Sequence, residues 1–250
     1  MKKILPINRI ESIDDIDYKK PFIISADKLF DWNIIKKWNL SRLKKQFGNM
    51  DVIVYRSNKE MKWRNDSKQM SLSSYIDYIR TTKDKEPYYL VDWSISLTPS
   101  FVSNIKNKVK YPKEFSSWNN IKWFKDKLFF SFYIGPKNSY SDWHIDILSS
   151  SAWAICIQGE KRWKFKTLFT EYHGVQKKGD LVYTPGGMIH KVTNIKPSVI
   201  LTDNFINKHN IINVVISFIP NVLKILYRTW KRRNSKKNND NYFQKIKKKA

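Results

Sequence analysis

The stretch from Ser141 to Asn204 restricts the fold more than any other part of the chain. It opens Ser-Asp-Trp-His-Ile-Asp and later reads Gly-Asp-Leu-Val-Tyr-Thr-Pro-Gly-Gly-Met-Ile-His. Side chains at i and i+2 of a strand share a face, so His144 and Asp146 are expected to project together with Ile145 turned away. His190 follows a strand-like run, Leu181 to Tyr183, and a Pro185-Gly186-Gly187 turn. An antiparallel barrel would lay that second strand beside the first. A His-x-Asp triplet alone is a weak sign, common in loops and surface strands. Here, however, two of only four histidines fall where the constellation needs them. The other two, His173 and His209, read as surface or loop residues.

Two imidazoles and one carboxylate on one face of a metal leave the opposite positions open, which is the facial arrangement of non-haem Fe(II) sites. Open positions admit substrate chemistry. Many short strands punctuated by glycine turns and preceded by helices argue for a mainly β fold with flanking helices, a double-stranded β-helix or jelly-roll barrel. Within it, Ala152 to Ile157 and Arg162 to Phe165 are expected to pair around a Gln158-Gly159 turn. Cys156 cannot form an internal disulfide, being the only cysteine, and its alternation with Ile155 and Ile157 makes it a packed core thiol. Aromatic content of 15%, with ten tryptophans, points to a core built on bulky rings.

The segment GDLVYTPGGMIHKVTN, Gly179 to Asn194, carries glycine, proline, glycine, histidine and asparagine at the spacings of the second cupin motif. The wider pair HIDILSSSAWAICIQGEKRW and QKKGDLVYTPGGMIHKVTNIKPSVILTDNF resembles the Jumonji C oxygenases. It is most similar to the bifunctional arginine demethylase and lysyl-hydroxylase branch, once called the phosphatidylserine receptor. KKWNLSRLKKQFGN, SLSSYIDYIR, EPYYLVDW and FYIGPKNSYSDWHID follow that branch's order, so the resemblance runs from about Trp32 to Phe205.

The resemblance implies Fe(II) at His144, Asp146 and His190, with 2-oxoglutarate beside it and O2 as oxidant. It assigns Lys161 in Gly-Glu-Lys-Arg-Trp to the far carboxylate of 2-oxoglutarate; without it, Lys161 reads as a solvated turn residue. A lysine inside a barrel is an expensive buried charge unless it meets an anion. Thr202 matches a co-substrate hydroxyl donor, and Ser141 stands where the family usually has threonine. One position departs: the family asparagine that helps hold 2-oxoglutarate falls on Ala154, leaving Asn204 or Tyr133 as substitutes. Loss of one such contact costs about 1 kcal/mol. The implied reaction converts 2-oxoglutarate to succinate and hydroxylates a C–H bond of a protein or peptide substrate, a lysine side chain being favoured, with arginine demethylation also in the family's range. Two alternatives stand beside it: an oxygenase acting on a small molecule, peptide product or RNA base, and a catalytically inactive basic cupin that serves as a binding module.

The chain divides, on this reading, into helical and strand elements packed on the barrel over 1–120, the barrel core over 121–206, a C-terminal helical segment over 207–233 and a basic tail over 234–250. Residues 1–50 read as mostly helical with one strand at Phe22 to Ile24, and a short helix carrying Leu40, Leu43 and Phe47 ends at Gly48. Asp51 to Arg56 is β-like, Ser71 to Arg80 is an amphipathic helix with Leu72, Tyr75, Ile76 and Ile79 on one face, and Tyr88 to Trp93 is an apolar strand. Thr98 to Asn120 reads as short helices and a loop over a barrel edge, and Trp123 to Ile134 as an aromatic strand.

Ile211 to Tyr227 is apolar but holds Asn213, Pro220, Asn221 and Lys224, too short and interrupted for a membrane span. It is expected to be a C-terminal helix, or two halves bent at Pro220, packing on the barrel or on a second copy in a homodimer. No signal peptide is evident at the MKKILP start, which fits an intracellular protein, cytoplasmic or, in a eukaryotic cell, nuclear. Lys224 to Ala250 carries eleven Lys or Arg against one acid, Asp240, and the whole chain is formally +25. Such a field attracts nucleic acid or acidic surfaces through the tail and the lysines around 104–113. An AT-rich codon bias toward Lys, Asn and Ile raises charge without any ligand, and no zinc-finger or glycine-rich phosphate motif accompanies it.

Overall fold

The apolar alternation of the central strands decides the architecture, because both of their faces are buried. The computed structural model describes residues 2–57, 66–94, 113–115 and 131–219. In order these form β1 (Lys3–Pro6), β2 (Asn8–Arg9), β3 (Phe22–Ser25), α1 (Trp32–Ile35), α2 (Leu40–Phe47), β4 (Asp51–Arg56), β5 (Ser67–Ser71) and α3 (Leu72–Thr81). There follow β6 (Tyr88–Ser94), β7 (Ser131–Gly135), β8 (Tyr140–His144), β9 (Ser151–Lys166), β10 (Thr170–Lys177), β11 (Asp180–Thr184) and β12 (Ile189–Phe205). A last helix covers 211–219. Most of the cover expected over 98–120, the start of the strand expected from Trp123, the bend at Pro220 and the basic tail lie outside the described residues.

The strands run in the order β2-β3-β11-β9-β12-β7-β6-β4-β5, with β10 joining β1 to β9 and β8 joining β12. The fold is a double-stranded β-helix, and its spine is the antiparallel pair β9–β12. Each of these long strands changes partner along its length. The first half of β9 pairs with β11 and the second with β10, while β12 pairs with β8 at its start and β7 at its end. The hairpin expected around Gln158-Gly159 is therefore one continuous strand of 16 residues. Gly159 instead marks an irregularity, where the register with β12 shifts between Lys196 and Val199. It takes φ +89, and a Cβ there would lie 2.2 Å from the Pro197 carbonyl oxygen. A bulge and a turn share the same glycine signature in sequence, and the partner strand decides between them.

Trp153, Ile155 and Ile157 of β9, Leu181 and Tyr183 of β11, and Phe22 and Ile24 of β3 face one core, which α2 and α3 complete with Leu43, Tyr75, Ile76 and Ile79. The alternate residues Ala154, Cys156, Val182 and Ile23 face the barrel interior with Trp163, Phe165 and Ile200. Each fully buried aliphatic or aromatic side chain contributes about 1.5–3 kcal/mol, so this two-sided burial fixes register tightly. Tyr75 ties α3 to the barrel: its hydroxyl donates to Ile134 O at 2.8 Å and accepts from Leu90 N at 3.0 Å.

The first fifty residues are less helical than their sequence suggests. β1 pairs in parallel with β10, and β2 with β3, which itself joins β11. These strands are short and largely exposed at β1 and β2, so the ladder that forms them is supplied by the barrel and leaves no periodic mark. α2 does end at Gly48, but with φ −55, a right-handed and not a left-handed cap. His173 lies in β10, half-buried and 3.1 Å from Glu171, and exposed His209 stacks on Tyr18 at 3.7 Å. No helix among the described residues is long and apolar enough to cross a membrane.

Candidate metal centre

β8 and β12 lie antiparallel with His144 directly opposite His190. β8 ends at His144, so Asp146 sits beyond the strand, heading a short 3-10 turn over Ile147–Ser149. Strand pairing therefore does not align it with His144. Its extended backbone, φ −61 and ψ 154, does, and its carboxylate makes no capping hydrogen bond. Asp146 Oδ1 is 3.8 Å from His144 Nε2 and 3.7 Å from His190 Nε2. The three donor atoms lie within 4.8 Å of one another, a spacing that one ion could bridge.

The second nitrogen of each ring is held by the backbone. His144 Nδ1 is 2.6 Å from Asp142 O, and His190 Nδ1 is 3.0 Å from Met188 O. A carbonyl can only accept, so both rings donate from Nδ1, and each turns its Nε2 toward Asp146. This is the outer support that metal-binding imidazoles need. His190 is 3% exposed and packs against both Trp163 and Phe165. Burial lowers its pKa, against the opposing pull of Asp146. Two imidazole nitrogens and one carboxylate suit a divalent transition metal, and the donor set fits Fe(II).

The same cavity reaches Lys161, Tyr89, Tyr133, Ser141, Ala154 and Thr202. Lys161 is 3% exposed, on β9 beyond Gly159, and its Nζ donates to Tyr89 Oη at 2.7 Å. It also lies 5.3 Å from the Tyr89 ring centre and 5.8 Å from that of Tyr133. No carboxylate among the described residues pairs with it. Burial pushes its pKa down to about 7. An anion is the missing partner that this geometry calls for.

Three of the remaining polar groups are already engaged. Thr202 Oγ1 donates to Trp153 O at 2.6 Å, and Asn204 Nδ2 donates to Ser150 Oγ at 3.0 Å. Tyr133 donates to Asp92 in a very short hydrogen bond. Burial and then Asp92 hold the Tyr133 phenol well above its ordinary pKa. Asp92 reaches it from a backbone at φ 49, where the β6–β7 register shifts. Ala154 lines the cavity with no polar side chain, and its own carbonyl accepts from buried Gln176 at 2.7 Å. Tyr89 and Asp92 are the participants that residue types and spacing alone did not single out; an acid inside the apolar run Tyr88 to Trp93 was their one sign.

Residues 119–234 match the cupin family model. Over 84% of its length the chain is 24% identical to a zebrafish (Danio rerio) protein named 2-oxoglutarate and iron-dependent oxygenase JMJD4, covering 60% of that protein. It is 30% identical over 61% of its length to the Caenorhabditis briggsae bifunctional arginine demethylase and lysyl-hydroxylase psr-1, covering 38% of it. It is 24% identical over 82% of its length to the Arabidopsis thaliana lysine-specific demethylase JMJ21, covering 25% of it. The chain thus spans less than two thirds of each of these relatives. Over its barrel the chain is thus similar to the cupin family and to relatives named as 2-oxoglutarate and iron-dependent oxygenases, demethylases and a lysyl-hydroxylase.

Proposed function

We propose that the chain is an Fe(II)- and 2-oxoglutarate-dependent oxygenase that hydroxylates a protein side chain, with lysine the favoured target. The observation that carries this reading is one cavity with a three-donor cluster at one end and a buried lysine lacking a counter-ion at the other. The printed names of the relatives, an iron- and 2-oxoglutarate-dependent oxygenase and a lysyl-hydroxylase, agree with it.

His144, Asp146 and His190 would hold the iron through Nε2, a carboxylate oxygen and Nε2. Bound iron, 2-oxoglutarate and O2 would together supply an oxidant strong enough to hydroxylate an unactivated C–H bond. The chain's own part is orientation and exclusion of water. Lys161 would take the far carboxylate as a charge-assisted partner, worth about 1.5–3 kcal/mol, with Tyr89 holding the ammonium in place. Trp163 and Val192 wall the cavity beside His190, and Ser141 offers a hydroxyl there. Thr202 must release Trp153 O before it can donate to a ligand. Tyr133 has its one donor committed to Asp92 and replaces the absent asparagine at Ala154 only after rearrangement, whereas the Asn204 amide keeps a second N–H beyond the one given to Ser150.

The test is an anaerobic titration of the Fe(II)-loaded protein with 2-oxoglutarate, following the weak visible charge-transfer band of the chelate. The band is expected in the wild type and absent in His190→Ala. Iron binding without a band at millimolar co-substrate would sink the oxygenase reading and favour a binding module. If the band forms, lysine-containing peptides that gain no oxygen while small molecules or RNA do would remove the protein-substrate part alone.

A further inference from the structure

The turn over 185–188 that leads into His190 also borders an open groove of about 580 Å³. Three lysines line it, Lys2, Lys19 and Lys166, and no carboxylate does. The nearby acids are committed elsewhere: Asp17 bridges Lys20 at 3.1 Å and Asp142 bridges Lys191 at 2.7 Å. Lys2 Nζ donates to the Thr167 carbonyl, and Lys166 lies 4.2 Å from the Trp143 ring centre. None of the three lysine ammonium groups forms a close ion pair among the described residues, although Lys19 acts on Asp17 and Lys166 on Asp142 through space. Three cations facing one groove repel each other, and an anionic occupant reverses that term.

The groove adjoins the mouth of the metal centre. Lys166 pairs across the sheet with Ile189, and His190, the next residue, pairs with Phe165 and His144. Met188, two residues before His190, both lines the groove and packs against the interior cluster, so a chain whose target side chain enters beside His190 can reach the groove with its flanking residues. The same end of the barrel exposes Leu168 at 76% and Phe169 at 75% on the β9–β10 turn, with Ile145 and Ile147 beyond His144. A phosphate polymer could stack a base on Phe169 but would leave the aliphatic Leu168, Ile145 and Ile147 in water, whereas a polypeptide carrying acidic and apolar side chains covers both.

We infer that this groove binds an acidic, partly apolar segment flanking the target residue of a protein substrate. The identity of the occupant as substrate rests on the oxygenase reading; the groove's preference for an acidic peptide does not. The experiment uses the full chain without added metal and a labelled peptide with a central lysine flanked by Asp, Glu and Leu, read by fluorescence anisotropy. The expected result is binding about tenfold or more tighter than that of a peptide with Lys in place of the acids. The double variant Lys19→Glu, Lys166→Glu should lose about tenfold, with its melting temperature checked, while Lys178→Glu, on the β10–β11 turn, leaves binding unchanged.

Binding that ignores peptide charge, or that survives the double reversal, overturns the inference. So does a single-stranded RNA that binds tighter than the acidic peptide and is lost in the double variant. Added Fe(II) and 2-oxoglutarate separate the two readings. A peptide that binds through the groove but is never oxidised sinks the oxygenase, and one oxidised equally by wild type and double variant sinks the groove.

Discussion

The two ends of the cavity manage charge in opposite ways. At the metal end every donor is prearranged: backbone carbonyls hold both Nδ1 atoms and leave the Nε2 atoms facing Asp146. At the deep end Lys161 is buried against a phenol, with no carboxylate among the described residues to answer it. The first end is satisfied apart from its metal; the second holds an unfavourable charge in place until an anion arrives. Binding energy at the deep end is thus partly the relief of a cost already present in the empty protein.

The largest effect should come from His144→Ala. It removes one of three donors from a half-exposed position, so the fold should survive. Loss of mere outer supports costs about 10–100-fold in metal affinity, so loss of a donor should exceed about 100-fold. Fe(II) titration by calorimetry would check this, and a variant that keeps wild-type affinity would remove His144 from the centre.

Next in size is Lys161→Met, which should weaken 2-oxoglutarate binding by about 10–100-fold while iron binding persists. The same variant should melt at a higher temperature than the wild type, because a well-packed apolar side chain replaces an unpaired buried charge. Loss of ligand with gain of stability is the signature that distinguishes the two ends. If Lys161→Met lowers the melting temperature, the charge is compensated in the empty protein and the contrast fails.

The pH dependence sharpens the same contrast. Burial holds the folded pKa of Lys161 near 7, below its ordinary 10.5. Above pH 7 the unfolded chain keeps a proton that the folded chain has lost, so stability should rise with pH, by at most about 1.4 kcal/mol per unit. The rise is readable only up to about pH 9. Beyond that, the Cys156 thiol, pushed up from 9 to about 12 by burial, acts with the opposite sign: it stays protonated in the fold while the unfolded chain ionises. Over the same window the affinity for 2-oxoglutarate should fall, with proton uptake on binding. Denaturant melts at pH 7, 8 and 9 should show the rise in wild type and a flat line in Lys161→Met.

The contrast also marks what the sequence could reveal. The metal end was legible because its signals are local: a His-x-Asp triplet, a Pro-Gly-Gly turn and strand alternation. Even there the reasoning needed amendment, since Asp146 is aligned by extended loop backbone and not by a strand. The barrel itself was legible in its many short strands and glycine turns, among them Ala152 to Ile157, which the fold buries on both faces. The deep end was not legible from residue types, because a lysine in Gly-Glu-Lys-Arg-Trp has the local pattern of a surface turn. Its burial follows from the bulge at Gly159, which keeps β9 running where a hairpin was expected. Tyr89 and Asp92 come from a strand distant in sequence, and short β1 and β2 exist only because the barrel edge offers them a ladder.

The smallest expected effect concerns Thr202. Its hydroxyl has one proton, and that proton goes to Trp153 O at 2.6 Å. Toward a bound carboxylate the same oxygen can only accept, and carboxylates do not donate, so as it stands the group adds little to ligand binding. Thr202→Val should therefore weaken 2-oxoglutarate by no more than about threefold while destabilising the fold by about 1 kcal/mol through the lost internal bond. A loss beyond tenfold, with stability unchanged, would mean that the hydroxyl swings from Trp153 to the ligand. The deep end would then reorganise on binding, and the contrast with the prearranged metal end would extend from charge to motion.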